Sequence, residues 1–254
     1  MKKKITAICL CVALLAVAIV GATLAYFTDT KAATNTFTVG NVKIDLIESR
    51  FHREGNDNSG DTSIPDPTQT ASGMAYVTDG HKAFTDDEIK ADAEKYSEYI
   101  GERGKNMVPG RNFAKCPYVV NTGDNDAYVR IRVMIPADLD TAVLNSSMYT
   151  SSAMDKEFTM AIDQTGTVER EGRKYNVYTF TRIDPLAPGE MTYWNVWGTI
   201  HMDTTVTSAQ SEALFGENGP YPNGVFPVLV EADAIQDEGF ANATAAFVAF
   251  DAQN

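Results

Sequence analysis

Residue types that commonly carry catalysis are sparse in this 254-residue chain. Its three histidines, His52, His81 and His201, are scattered among polar residues and form neither an HExxH nor an HxH pattern. A catalytic zinc ion usually needs three protein ligands, commonly histidines. Nucleophile-elbow, Walker and dinucleotide-binding motifs are also missing from the sequence. The sequence therefore predicts no catalytic residue, no metal site and no cofactor, and favours three isolated surface histidines.

Two other groups of residues suggest binding rather than catalysis. Asp57, Asp61 and Asp66 lie in one polar stretch, but their spacing does not match a calcium-binding EF-hand loop. Solvated carboxylates are therefore the favoured interpretation, with weak calcium binding as the alternative. An aromatic segment is formed by Tyr193, Trp194 and Trp197. Such residues on a strand more often pack in the core or at its edge than bind a sugar.

The first 25 residues have the layout of a secretory signal peptide. Lys2, Lys3 and Lys4 precede an uncharged, mostly apolar run that ends in small residues. Thr23 and Ala25 suit the −3 and −1 positions of a cleavage site, which predicts that Tyr26 is the first mature residue. A retained membrane helix is the alternative, since the run approaches the roughly 18–20 residues that span a bilayer.

Removal of the signal changes the charge and the cysteine content of the chain. Three lysines would leave with it, giving 18 basic against 34 acidic residues and a net charge of −16. Such a surface repels nucleic acids and anionic membranes. Of the three cysteines, Cys116 alone lies beyond the signal, so no internal disulfide is possible in the mature chain. We expect it to be a small buried residue, with a reactive thiol or an intermolecular link as the alternative.

A strand, a loop and a helix are predicted before the main part of the chain. Apolar residues recur at every second position on either side of Gly40-Asn41, and the alternation shifts by one residue at that pair. The recurring residues are Phe37, Val39, Val42, Ile44 and Leu46. This pattern predicts a strand with a bulge or kink. Residues 50–80 are polar and rich in turn-forming types, which predicts a loop. Thr85 and Glu88 form a capping-box pattern for a helix that buries Ile89, Ala93, Tyr96 and Ile100.

The remainder of the chain is typical of antiparallel β structure. Residues 127–136 carry the strongest strand pattern, in which Val129, Ile131, Val133 and Ile135 share one face. Further strands are predicted at 113–121, 158–163, 175–183, 191–202 and 225–235, and short helices at 209–215 and 242–250. The prediction is a mainly β fold, a jelly-roll-like antiparallel β-sandwich with a few short peripheral helices. Its organisation would be a signal peptide at 1–25, an arm at 26–49 and one sandwich domain at 50–254, with loop 50–80 and helix 85–100 as an insertion.

Two stretches resemble the beginning of a known family. They are TLAYFTDT at 23–30 and TFTVGNVKIDL at 36–46. Both are similar to the TasA/camelysin family, the secreted matrix-fibre proteins of Gram-positive bacteria. Tyr26 to Asp29 match the cleavage pattern of this family. Its first strand is matched by Phe37, Gly40, Val42 and Ile44.

The resemblance implies a structural subunit of an extracellular fibre or biofilm matrix, located in the matrix or at the cell surface. Its members polymerise by donating an amino-terminal strand to the next subunit, so we expect residues from about 33 to 48 to be the assembly strand. An ordinary first strand of the same domain is the alternative. The partners would be further copies of the chain and other matrix proteins, with membrane contact only through an uncleaved signal. A monomeric adhesin or sugar-binding module is a second hypothesis, and a camelysin-like surface protease a third, which the lack of catalytic motifs disfavours.

Overall fold

The computed structural model of the chain describes residues 28–32, 42–49, 51, 53, 84–104, 109–110, 112–148, 154–224 and 226–253. The predicted signal and cleavage site, with Thr23, Ala25 and Tyr26, lie outside these residues, as do Phe37, Val39 and nearly all of the predicted loop. Within the described residues, no helix has both the length and the apolar character needed to cross a bilayer.

A five-stranded antiparallel sheet has its centre at β5 (Ala127–Pro136). β10 (Leu229–Gln236) pairs with one side of β5, and β8 (Arg173–Arg182) pairs with the other. β1 (Thr28–Ala32) and β7 (Phe158–Arg170) lie at the two edges, so the order is β1-β10-β5-β8-β7. The β7–β8 hairpin turns at Glu171 and Gly172, both with positive φ, as a type I′ turn requires.

Two smaller sheets pack against the inner face of this sheet. β3 (Asn112–Ala114), β9 (Trp197–Met202) and β6 (Leu144–Met148) form one of them. β2 (Ile44–Ser49) and β4 (Cys116–Asn121) form the other. Residues of both enter one core cluster with residues of the large sheet, such as Ile44, Val119, Phe180, Trp197 and Ala232. This two-layer, mostly antiparallel arrangement confirms the predicted β-sandwich class.

The predicted face of β5 is confirmed. Val129, Ile131, Val133 and Ile135 are all 0% exposed and belong to the main core cluster. The opposite face of β5 is largely buried as well, with Tyr128 at 7% and Met134 at 0% exposed. The alternation of residues along β5 therefore identified the face that points into the main core. The other face is also covered, by residues of neighbouring strands and of a helix.

Helices lie at the periphery, as predicted. They are α1 (Asp86–Gly104), α2 (Ser208–Phe215) and α3 (Ala243–Asp251). The capping box before α1 is present: Thr85 Oγ1 accepts from the Glu88 amide at 3.3 Å, and the Glu88 carboxylate accepts from the Thr85 amide at 2.9 Å. Ile89 and Ala93 are buried as predicted, while the side chains of Tyr96 and Ile100 lie outside the described part of the chain.

Four strand predictions were wrong in their bounds, and one of them, the strand predicted at 225–235, begins only at Leu229. The predicted strand 113–121 breaks at Lys115, where the chain passes from pairing with β9 to pairing with β2. Pro117 itself lies within β4, opposite Glu48, so the break follows from the change of pairing partner at Lys115. The predicted strand 191–202 is regular only from Trp197, and the strand predicted at 158–163 continues through a register shift to Arg170.

Candidate functional site

Half of the predicted assembly strand is described, and it is docked in its own chain. β2 pairs antiparallel with β4, from Ile44 opposite Asn121 to Ser49 opposite Cys116. Val42 and Ile44 are 2% and 0% exposed, and Leu46 packs against the same core cluster. On its other face, Ile47 packs against the smaller cluster beneath α1. The predicted inward set from Val42 to Leu46 therefore faces the core of the chain that carries it.

Polar contacts fasten the carboxyl end of β2. The Ser49 hydroxyl donates a 2.9 Å hydrogen bond to Asp92 of α1, and both side chains are buried. The Lys115 ammonium group lies 2.6 Å from the nearer Glu48 carboxylate oxygen, in an ion pair that is largely shielded from solvent. These contacts give no local signal in the sequence, because their partners lie 43 and 67 positions apart.

Arg53 extends this attachment beyond the strand. Its guanidinium donates to the Tyr193 carbonyl at 2.9 Å and to the Thr192 carbonyl at 3.1 Å, and it pairs with Asp86 at the start of α1. The Arg53 amide donates to the Tyr118 hydroxyl at 3.1 Å. Since these contacts join residue 53 to α1, to β4 and to the segment before β9, the chain after β2 is tied to its own domain.

The earliest described residues make a different contact. β1 begins two residues after Tyr26 and pairs antiparallel with β10, from Thr28 opposite Ile235 to Ala32 opposite Glu231. It is the edge strand of the large sheet, so removing it would open the main-chain donors and acceptors of β10. The sequence pattern predicts the exchanging strand further along the chain, at about 33–48, and gives no strand signal for 28–32.

Beneath α3, an ion-pair cluster holds β10 to β5. Arg130 of β5 donates to Asp233 of β10 at 2.7 and 2.9 Å, and to Asp251 of α3 at 2.8 Å. Its guanidinium carbon lies 4.5 Å from the ring centre of Phe247. Asp233 is 0% exposed, and the hydrogen bonds from Arg130 lower the pKa of Asp251. The strand that pairs with β1 is thus rigidly anchored on its other side.

The aromatic segment contributes to the core, as the packing interpretation predicts. Trp194 and Trp197 are 5% and 0% exposed and belong to the main cluster, whereas Tyr193 is 45% exposed. Tyr193 borders a surface cavity of about 280 Å³, whose other lining residues are Lys156, Glu157, Arg182, Asp184 and Trp194. The two carboxylate oxygens of Glu157 accept hydrogen bonds from the backbone amides of Tyr193 and Trp194.

Cys116 is buried, as predicted. Its side chain is 2% exposed, and it is a free cysteine. Burial, together with the nearby carboxylates of Asp92 and Glu48, raises the pKa of the thiol. A protonated, inaccessible thiol is a poor nucleophile, so Cys116 acts here as a small packing residue.

No set of side chains within the described ranges fits a catalytic metal. His201 lies half-buried on β9, with Asp203 nearby, where Asp203 accepts from the Thr205 amide and from Asn145. Among the described residues, no three His, Cys, Asp or Glu side chains group closely enough to hold an ion. A zinc site needs three protein ligands, and this pair supplies two. His52, His81 and the three aspartates considered for calcium lie outside the described residues.

The amino-terminal part of the chain is similar to a known protein family. Residues 1–78 match the family model described as camelysin metallo-endopeptidase, the family to which the 23–46 resemblance points. The matched segment includes β1 and β2. No curated protein and no solved structure matches the chain.

Proposed function

We propose that this chain is a secreted structural subunit of an extracellular fibre or biofilm matrix, on the premise that residues 1–78 match the camelysin family model. The observation that carries the proposal is the position of β1 at the edge of the large sheet. An edge strand contributed by the start of the chain can leave its own sheet and complete the same edge of a neighbouring copy. Main-chain hydrogen bonds then supply affinity, and each subunit gives one strand and receives one.

Exchange of this kind makes an open chain of subunits. The contact is heterologous, since the donated strand of one copy meets the acceptor edge of the next, and such contacts generate filaments when they do not close. The acceptor strand β10 stays in place because Arg130 holds Asp233 from the other side. Subunits would therefore connect without refolding their cores.

The fastened part of the arm favours an exchange that begins before Val42. Residues 42–53 are held by burial of Val42 and Ile44, by the Ser49–Asp92 bond and by Arg53. Releasing them would expose apolar side chains worth about 1.5–3 kcal/mol each. We therefore assign exchange to the segment from Tyr26 to residue 41, with β2 remaining in its own domain.

Electron microscopy of the chain that begins at Tyr26 tests this function. The protein should form filaments over time, and amino-terminal sequencing of secreted material should start at Tyr26. A protein that remains monomeric, or that stays in the membrane fraction with its signal attached, would contradict the proposal.

The protease hypothesis rests on the family description alone. We propose a non-enzymatic role, because the sequence contains no HExxH or HxH pattern of the kind that binds a catalytic zinc ion. A protease assay with and without a metal chelator tests this directly. Chelator-sensitive cleavage by the purified protein would overturn it.

The sugar-binding hypothesis now depends on one exposed ring. Tyr193 is 45% exposed, with the Arg53 guanidinium carbon 4.8 Å from its ring centre, and it stands beside a cavity that also presents Lys156 and Asp184. The exposed part of an aromatic ring beside polar groups suits a sugar ring. A glycan array with wild-type protein and a Tyr193→Ala variant separates this candidate from a purely structural role. Specific binding that the variant loses would establish it.

A further inference from the structure

The apolar inner face of the large sheet continues onto its outermost strand. Ile131 of β5 lies opposite Phe180 of β8, which lies opposite Met160 of β7. One row along, the corresponding residues are Val133, Tyr178 and Ile162. Residues opposite each other on paired strands point to the same side, so Met160 and Ile162 extend two rows of the core.

These two rows are covered at the centre of the sheet and uncovered at its edge. Ile131 and Phe180 are both 0% exposed, but Met160 at the end of their row is 42% exposed. Ile162 ends its row at 46% exposed. Thr159 and Ala161, on the opposite face of β7, are exposed as well. Phe158, at the start of β7 on the same face, is 2% exposed and belongs to the main core, so the second layer covers the start of β7 and stops short of Met160 and Ile162.

The first residues of β7, before its register shift between Asp163 and Val168, also lack the usual protection of an edge strand against pairing. Among the described residues, β7 pairs only with β8, so alternate N–H and C=O groups on its other side point away from the sheet. Residues 158–162, with the sequence FTMAI, contain no charge, proline or glycine. Such an uncharged apolar edge is a ready template for another strand.

We propose that this edge pairs with the same edge of a second copy of the chain, antiparallel and centred on Ala161. In that register Met160 lies opposite Ile162 twice, and Thr159 lies opposite Asp163 twice. Apolar residues meet apolar residues, a hydroxyl meets each carboxylate, and no two like charges face each other. The sequence of β7 is thus complementary to itself.

The charge around β7 also favours a second copy as the occupant. Residues 154–184, which include the β7–β8 hairpin, carry five basic and six acidic side chains, while the whole chain has a net charge of −13. Two copies of an acidic protein repel each other least through such a nearly neutral region. The contact is two-fold symmetric and closes, so it joins two subunits or, if exchange builds filaments, two filaments side by side.

A positive or a negative residue introduced at the symmetry axis, position 161, tests the proposal. Ala161→Lys and Ala161→Glu each place like charges opposite each other in a homodimer, and the exposed position should tolerate both in the folded monomer. Sedimentation velocity on freshly prepared chain beginning at Tyr26 should show dimers for wild type, monomers for each variant, and dimers again for an equimolar mixture. Ala213→Lys and Ala213→Glu, on the exposed surface of α2, are the matched controls and should dimerise like wild type.

Three results would overturn the proposal. They are a wild-type protein that is monomeric at every concentration, a dimer that survives both single substitutions, and a mixture that stays monomeric. The last result, with loss of assembly in the single variants, would instead indicate that the arm of another copy occupies this edge.

Cross-linking separates this contact from amino-terminal exchange. An Ala161→Cys variant, oxidised with copper-phenanthroline and dissolved oxygen, should give a disulfide-linked dimer, whereas Ala213→Cys should not; native Cys116 is buried. The readout does not require filaments. Covalent dimers without filaments would remove the exchange proposal and leave this one standing, while filaments without covalent dimers would do the opposite.

Discussion

The Ser49 hydroxyl donates a 2.9 Å hydrogen bond to the Asp92 carboxylate, and the two side chains are 0% and 5% exposed. This bond joins the last residue of β2 to the middle of α1. It fastens the carboxyl end of the amino-terminal arm, which is docked in its own domain from Val42 onward. Among the described residues before Val42, the arm pairs at a sheet edge, through β1, and such an end can exchange without unfolding the subunit.

Replacing Ser49 with alanine tests this fixed point. Ser49→Ala removes one hydrogen-bond donor from a buried carboxylate, which should lower the free energy of unfolding by about 1–3 kcal/mol. Urea unfolding measures the change. Ser208→Ala, at an exposed site on α2, is the matched control and should unfold like wild type. An unchanged midpoint for Ser49→Ala would mean that this bond does not hold β2.

Acidification should loosen α3 through Asp251. Hydrogen bonds from Arg130 hold the pKa of Asp251 below its usual value in the folded state. The stability it contributes is therefore present above the unfolded pKa of about 3.9 and is lost as the pH falls through the lower folded pKa. Asp251→Asn should be less stable than wild type at neutral pH and should lose less stability between neutral pH and about pH 3.

Urea midpoints measured at both pH values check this expectation. Glu238→Gln, which removes a carboxylate from the exposed turn after β10, is the control. Equal losses of stability in wild type and Asp251→Asn on acidification would show that the Arg130–Asp251 pair does not contribute.

The buried face of β5 predicts a graded response at Ile131. Ile131→Val removes one methyl group and should cost about 0.5–1.5 kcal/mol. Ile131→Asp places an unpaired charge at a position that is 0% exposed, which should abolish soluble expression. Thermal melting follows the first variant and the soluble yield follows the second. An aspartate variant that melts like wild type would show that this face is not buried.

Local sequence patterns were sufficient to predict structural features that depend on a single helix or strand. Alternation identified the core face of β5, and Thr85 with Glu88 identified the start of α1. Aromatic residues were correctly expected to pack, as Trp194 and Trp197 do. These features depend on residues a few positions apart, so the sequence contains all the information they need.

Features that depend on distant pairing could not be predicted in the same way. A strand at the centre of a sheet could have the same alternation of residues as β7. The exposure of Met160 and Ile162 therefore follows only from the position of β7 at the edge of the sheet. The attachment of Arg53 to the Tyr193 carbonyl spans 140 positions. The break at Lys115 likewise follows from which strands β3 and β4 pair with, and only the tertiary arrangement determines that choice.

The most direct test compares two chains, one starting at Tyr26 and one starting at Val42, by electron microscopy over time. The longer chain should form filaments. The shorter chain keeps β2 and its contacts with Asp92 and Lys115, so it should remain folded by near-ultraviolet circular dichroism, remain unable to form filaments, and bind an added peptide of residues 26–41. Filaments from the shorter chain at the wild-type rate, or a folded longer chain that never polymerises, would contradict assembly by amino-terminal strand exchange.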